Sequence, residues 1–161
     1  MEMPAFGQIM EPTYKTLEIS SDVDRESTSP VDALYIITST IHERVKYVPD
    51  IKVWDDIDMF QNPDTTLDLG TGDCEDYSFL IASVINGLRR NKPDSVRVSI
   101  GDLRVPLNPI ITHAWVESRV GEKWYICEGT AGKVFEAPDL RYEPYIGLYK
   151  NKLKFIKTDW R

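Results

Sequence analysis

Gly70-Thr71-Gly72-Asp73-Cys74-Glu75-Asp76-Tyr77 is the stretch whose reading decides the fold. After it, Tyr77, Ile81, Val84, Ile85 and Leu88 recur at three- and four-residue intervals up to the basic pair Arg89-Arg90, the signature of an amphipathic helix. Continued backwards, the apolar stripe reaches Cys74, so the thiol is expected in the first turn, facing inward. Unpaired amides and the positive end of the helix dipole favour a thiolate at such a position. A cysteine can equally be an inert, buried small hydrophobe. The glycine-rich, aspartate-capped entry favours the chemical role.

The chain has only two histidines. His113 lies in Ile110-Ile111-Thr112-His113-Ala114-Trp115-Val116-Glu117, a β-branched and aromatic run that reads as a strand. A second strand, Trp124-Tyr125-Ile126-Cys127-Glu128, follows a short polar stretch, so the two predict a hairpin. Side chains alternate along a strand, so a two-residue loop puts His113 and Glu128 on one face. A loop at Val120-Gly121 would set them directly opposite each other, and one at Gly121-Glu122 would make them diagonal neighbours. A three-residue loop would separate them onto opposite faces. His42 flanks the stripe Leu34, Ile37, Ile41 and Val45 of a helix opened by Ser29-Pro30, and reads as a partly exposed residue without a chemical role.

Taken together, Gly72 to Tyr77, His113 to Glu117 and Trp124-Tyr125-Ile126-Cys127-Glu128-Gly129-Thr130 resemble the three-block signature of the transglutaminase-like superfamily, over about Trp54 to Thr130. The resemblance implies an α+β fold of the papain-like, transglutaminase-core type, with the nucleophile at the N-terminus of a helix packed on an antiparallel sheet. It implies Cys74 as nucleophile, His113 as base and Glu128 as orienting acid. The third block ordinarily carries aspartate where this chain has Glu128; a carboxylate one methylene longer can still face the imidazole N–H and fix its tautomer. Glu117, on the face of His113, is the fallback orienter.

The same resemblance suggests Trp54 as a substrate-binding residue, stacking on substrate or donating its indole N–H to an oxyanion, with core capping as the competing role. Gln61 is the alternative donor by analogy with the glutamine of papain relatives, and the Cys74 backbone N–H is the first donor expected. No cofactor is expected. Calcium at Asp73 and Glu75 is the alternative, because one bacterial protease branch of the superfamily binds it there; against it, a helix start favours acids without any metal, and hard cations need six or more oxygens.

With 161 residues, 42% of them apolar, the chain is large enough for one core, expected over residues 29–161 behind an irregular, polar arm at 1–28. The connection from Pro49 to Thr71 is too long to be structureless and is expected to wall the cleft. A net charge of −7 without a basic stripe excludes a nucleic-acid partner. Two cysteines make no disulfide framework, and no membrane span or leader is visible, so a cytoplasmic setting with a peptide or protein substrate is expected. The function predicted is amide or peptide-bond hydrolysis through a Cys-His-Glu triad and a thioester. The alternatives are acyl transfer by the same residues and an inactive relative that binds peptides or partner proteins.

Overall fold

The computed structural model describes residues 8–49 and 61–156. In chain order it forms α1 (Tyr14–Glu26), α2 (Pro30–Arg44), β1 (Lys46–Tyr47), α3 (Pro63–Leu69), β2 (Thr71–Gly72) and α4 (Cys74–Asn86). The remaining elements are strands: β3 (Ser95–Leu103), β4 (Ile111–Val120), β5 (Lys123–Glu128), β6 (Lys133–Glu136), β7 (Tyr142–Leu148) and β8 (Leu153–Phe155). The six long-range strands make one antiparallel sheet in the order β6-β5-β4-β3-β7-β8, and β1 and β2 pair in parallel beside it. This is the α+β arrangement that the sequence implied. Among the described residues no helix is long and apolar enough to cross a membrane.

Helix α4 is the hub. From Asp76 to Ile85 every side chain is buried, because α1, α2 and α3 flank it and the sheet lies beneath it. Its core partners include Ile19 and Val23 of α1, Leu34, Ile37 and Ile41 of α2, and Val98, Val116, Cys127 and Leu148 of the sheet. Alternation along the strands therefore gives Val98, Val116 and Cys127 to the helix side. Arg97, His113, Trp115, Glu117 and Glu128 fall on the other face, where Trp115, Ile126 and Tyr142 form a second, smaller cluster.

One local expectation changes and another holds. The stretch expected to be an irregular arm is helix α1 from Tyr14 onward, started by a reciprocal capping box between Thr13 and Thr16. Its inner face is half polar, and the hydroxyls bury by bonding: Ser20 donates to the Val84 carbonyl at 2.7 Å, and Ser83 to Thr16 at 3.0 Å. The Pro49–Thr71 connection does carry structure, namely α3, capped by Asn62 and ended by Gly70 in the left-handed conformation (φ 65°). Lys46 and Val48 then bond the Gly70 and Gly72 carbonyls, which delivers the chain to Asp73 in a fixed direction.

A candidate thiol-imidazole-carboxylate active site

The helix that carries Cys74 starts where the sequence places it. Asp73 is the N-cap, accepting from the amides of Glu75 (3.2 Å) and Asp76 (3.4 Å), while the Asp76 carboxylate accepts from the Asp73 amide at 3.0 Å. A side chain at Gly72 would put its Cβ 2.7 Å from that of Asp76, so the lead-in glycine is a steric requirement of this capping box. The Cys74 amide is not among those the cap uses. Gln61 is also absorbed here: its Nε2 donates to Asp76 Oδ2 (2.8 Å) and to the Thr71 carbonyl (3.2 Å). With both amide hydrogens committed, Gln61 is not an oxyanion donor; it buttresses the helix start. Trp54 lies outside the described residues.

The hairpin resolves the register. Val120 pairs with Lys123 and Val116 with Cys127, so the loop is Gly121-Glu122 and His113 and Glu128 are diagonal neighbours on one face. His113 Nε2 lies 2.7 Å from Glu128 Oε2, with both residues buried. Three further bonds hold the carboxylate. The Thr130 hydroxyl (2.7 Å) and amide (3.3 Å) donate to Oε1, and the Tyr142 hydroxyl donates to Oε2 at 3.1 Å. Burial alone would raise the Glu128 pKa, but the bonds from His113, Thr130 and Tyr142 outweigh it and hold the group below the ordinary glutamate range. Glu128 is therefore an acceptor-only carboxylate at neutral pH, so the hydrogen of their bond sits on His113 Nε2, and in that tautomer Nδ1 is the ring nitrogen left to accept.

Glu117 has another task. It accepts from Trp115 Nε1 (2.7 Å) and from Arg97 Nε (3.0 Å) in a fully buried ion pair, and Arg97 stacks over Trp124 at 4.1 Å. His42 also proves structural: it lies against Gly132, and its Nδ1 bonds the Gly129 carbonyl at 3.1 Å, tying α2 to the turn after Glu128.

Cys74 is 9% exposed, and the Ala114 amide, next to His113 on β4, bonds to its sulfur. Among the described residues this amide, not a direct hydrogen bond to His113, links the thiol to β4. The thiol donates to Glu75 Oε2 at 3.4 Å. The expected thiolate does not follow from this arrangement. Burial first, then the Glu75 and Asp73 carboxylates, drive the thiol pKa well above its usual range, and the Ala114 amide offsets only part of that. Two carboxylates and desolvation act against the helix dipole. Cys127, wholly buried on the helix side of the sheet, is pushed up to about 12 by burial. Asp73, Cys74 and Glu75 bring their potential ligand atoms within 4.8 Å of one another.

Sequence reasoning missed Thr130, Tyr142 and the Glu75 contact. Thr130 closes the third sequence block and so was within reach. Tyr142 begins a strand that is not adjacent to β5, and nothing in its local sequence points to Glu128.

The architecture has solved counterparts. Legionella pneumophila LapG superposes with a TM-score of 0.66 over 99% of this chain and 90% of its own, at 15% identity. Its calcium-bound form gives 0.60 over 88% of each chain at 16% identity. A Cytophaga hutchinsonii protein provisionally described as a cysteine protease gives 0.57 at 16% identity, covering 80% of this chain and 44% of that one. At these identities the likeness is one of fold. No curated protein matches the chain. The model of one protein family matches residues 18–129, a span that holds the cysteine helix, the histidine strand and Glu128 together, and on that match the chain belongs to the transglutaminase-like superfamily.

Proposed function

We propose that the chain is a cysteine-dependent hydrolase of amide or peptide bonds in a peptide or protein substrate, with Cys74 as nucleophile, His113 as proton carrier and Glu128 as the carboxylate that orients the ring. The observation that carries this reading is the buried 2.7 Å His113–Glu128 bond, which assigns the ring tautomer beside the strand amide that touches the thiol.

With Nε2–H held by Glu128, Nδ1 takes the thiol proton as Sγ attacks the substrate carbonyl carbon. The Cys74 amide, which the Asp73 cap does not use, donates to the oxyanion in this reading. When the tetrahedral species collapses, the C–N bond breaks and the imidazolium returns its proton to the departing amine, leaving a thioester on Cys74. Water then loses a proton to Nδ1, attacks the thioester and releases the carboxylic acid, and the thiol is restored. An amine in place of water would make the same residues an acyl transferase. Water is the simpler acceptor, because an amine needs a dedicated subsite and none is found among the described residues.

The resting thiol suggests a second layer. Asp73 and Glu75 suit a calcium ion, being hard oxygen donors side by side, although the cation would need further oxygens and the sulfur is too soft to serve as one. A calcium ion held by these two carboxylates would offset the negative field that keeps Cys74 protonated.

The test is turnover of a peptide library by the purified chain, with and without calcium. Cys74→Ala and His113→Ala are each expected to abolish it, and Glu128→Gln to leave a weakened enzyme, with folding retained in all three. A parent protein that neither cleaves a broad library nor incorporates amines, with or without calcium, refutes the catalytic reading and leaves the peptide-binding alternative.

A further inference from the structure

Glu128 takes hydrogen bonds from more than its histidine. One oxygen, Oε1, is filled by the Thr130 amide and hydroxyl, and the other is shared between His113 Nε2 and the Tyr142 hydroxyl. These donors come from different parts of the fold: Thr130 from the turn after β5, His113 from β4, and Tyr142 from the first residue of β7, opposite Leu103. Tyr142 is itself held by packing, edge-on to Trp115 at 5.1 Å between centroids and tilted against Phe135 at 6.2 Å. Its position is thus set by the second hydrophobic cluster, independently of Glu128.

From this geometry we infer that Tyr142 and Thr130 are positioning residues of the active site, a clamp that fixes the Glu128 carboxylate in rotation and in charge so that His113 presents Nδ1 to the thiol. The inference rests on the hydrolase reading above. The physical need follows from the residue itself. Glutamate has one more rotatable bond than the aspartate usual at this position in the superfamily, so a lone His113 bond leaves the carboxylate free to swivel. Donors on both oxygens remove that freedom. They also occupy the sites at which a proton would bind, so the carboxylate accepts from His113 and does not exchange a proton with it. Charged neighbours at this end of the sheet include Arg141, 5.7 Å from the Tyr142 ring, and Asp139, which pairs with Arg141 at 2.7 Å. Arg141 feels the Glu128 charge through space, and Lys133 stands opposite Glu128 in the register of β5 and β6, but the hydrogen bonds on the carboxylate come from His113, Thr130 and Tyr142.

The test uses the full chain with Tyr142→Phe, Thr130→Val and the conservative Thr130→Ser. Folding of each is checked by circular dichroism. The Glu128 carboxyl carbon, assigned by its loss in Glu128→Gln, is titrated by carbon NMR, a readout that does not depend on activity. Removing one donor from a carboxylate raises its titration midpoint, here by about one pH unit in Tyr142→Phe and in Thr130→Val, with Thr130→Ser returning to the parent value. Turnover is read alongside it, with a kcat loss on the order of tenfold and an unchanged KM expected in the two clamp-breaking variants. Midpoints equal to the parent in both variants overturn the clamp. So does a raised midpoint with kcat unchanged in an active parent, because the clamp would then have no part in positioning. Raised midpoints in a parent without turnover support the clamp and refute the hydrolase reading, so the two fail separately. If Tyr142→Phe does not fold, the Thr130 pair decides alone.

Discussion

Glu75→Gln should make Cys74 more reactive, although it removes a charge from beside the nucleophile. The wild-type thiol donates to Glu75 Oε2 at 3.4 Å, and ionising it would place two negative charges at that separation. Coulomb's law gives about 1 kcal/mol for such a pair in water and about 5 kcal/mol at an effective dielectric of about 20. Glu75 is half-buried and its side chain can turn away, so the lower end applies. At about 1.4 kcal/mol per pKa unit, the thiol should fall by about one unit, and the thiolate fraction should rise about tenfold while the pH stays below the pKa. Glutamine keeps an acceptor for the S–H, so the charge is isolated from the hydrogen bond. The assay is the second-order rate of iodoacetamide modification at mildly alkaline pH, mapped by mass spectrometry, with wholly buried Cys127 as the silent internal control. Calcium added to the parent should raise the rate in the same direction and should lose its effect in Glu75→Gln. A Cys74 rate within twofold of the parent, or slower, refutes the claim that Glu75 holds the thiol protonated, and faster labelling of Cys127 than of Cys74 refutes the active thiol altogether.

Glu117→Ala should cost about 3–5 kcal/mol of stability in urea unfolding, because it leaves the Arg97 guanidinium and the Trp115 indole buried without the carboxylate they share. A loss under about 1 kcal/mol would mean that the neighbouring rings and Tyr149 satisfy Arg97 without it. For Glu128 the native pKa lies below the unfolded value near 4.5, so its contribution to stability is complete above that pH and disappears as the pH falls through the lower native value. The stability gap between the parent and Glu128→Gln should therefore be constant near neutrality and narrow on acidification below about pH 4.5, and a gap that widens instead would contradict the assigned charge state.

The parts of this molecule governed by near neighbours in sequence were readable from it. Asp73 caps amides two and three residues away, so the helix start needed no tertiary knowledge, whereas the shared face of His113 and Glu128 followed from alternation only once the tip was two residues long, as it is in the structure. Helix α1 was missed for a definite reason. Thr16 and Ser20 take inward positions that a hydrophobic pattern assigns to aliphatic residues, and they are satisfied there by Val84 and Ser83 of another helix. Periodicity counts apolar side chains and cannot see a hydroxyl whose partner is remote. Tyr142 was invisible on the same ground, since its reach to Glu128 depends on the strand order and on the packing of Trp115. The thiolate expectation missed two things that depend on packing: the burial of Cys74, which is the larger cause of the raised thiol pKa, and the turn of the Glu75 oxygen towards the sulfur.

The hairpin's parity also has an evolutionary side. The tip at Gly121 faces open space, with nothing within 4 Å of where a Cβ would sit; its φ of 63° favours glycine at that position, but descendants of this gene can lengthen the tip at little cost so long as Val120 still meets Lys123. A single codon gained or lost between Lys123 and Glu128 is a different event. It sends Cys127 and Glu128 to each other's faces, buries a carboxylate against the α2 helix and strips His113 of its acceptor in one step. Insertions and deletions in natural variants of this protein should therefore gather at the tip and be absent from the body of β5, a reading-frame constraint imposed by sheet geometry rather than by the codons.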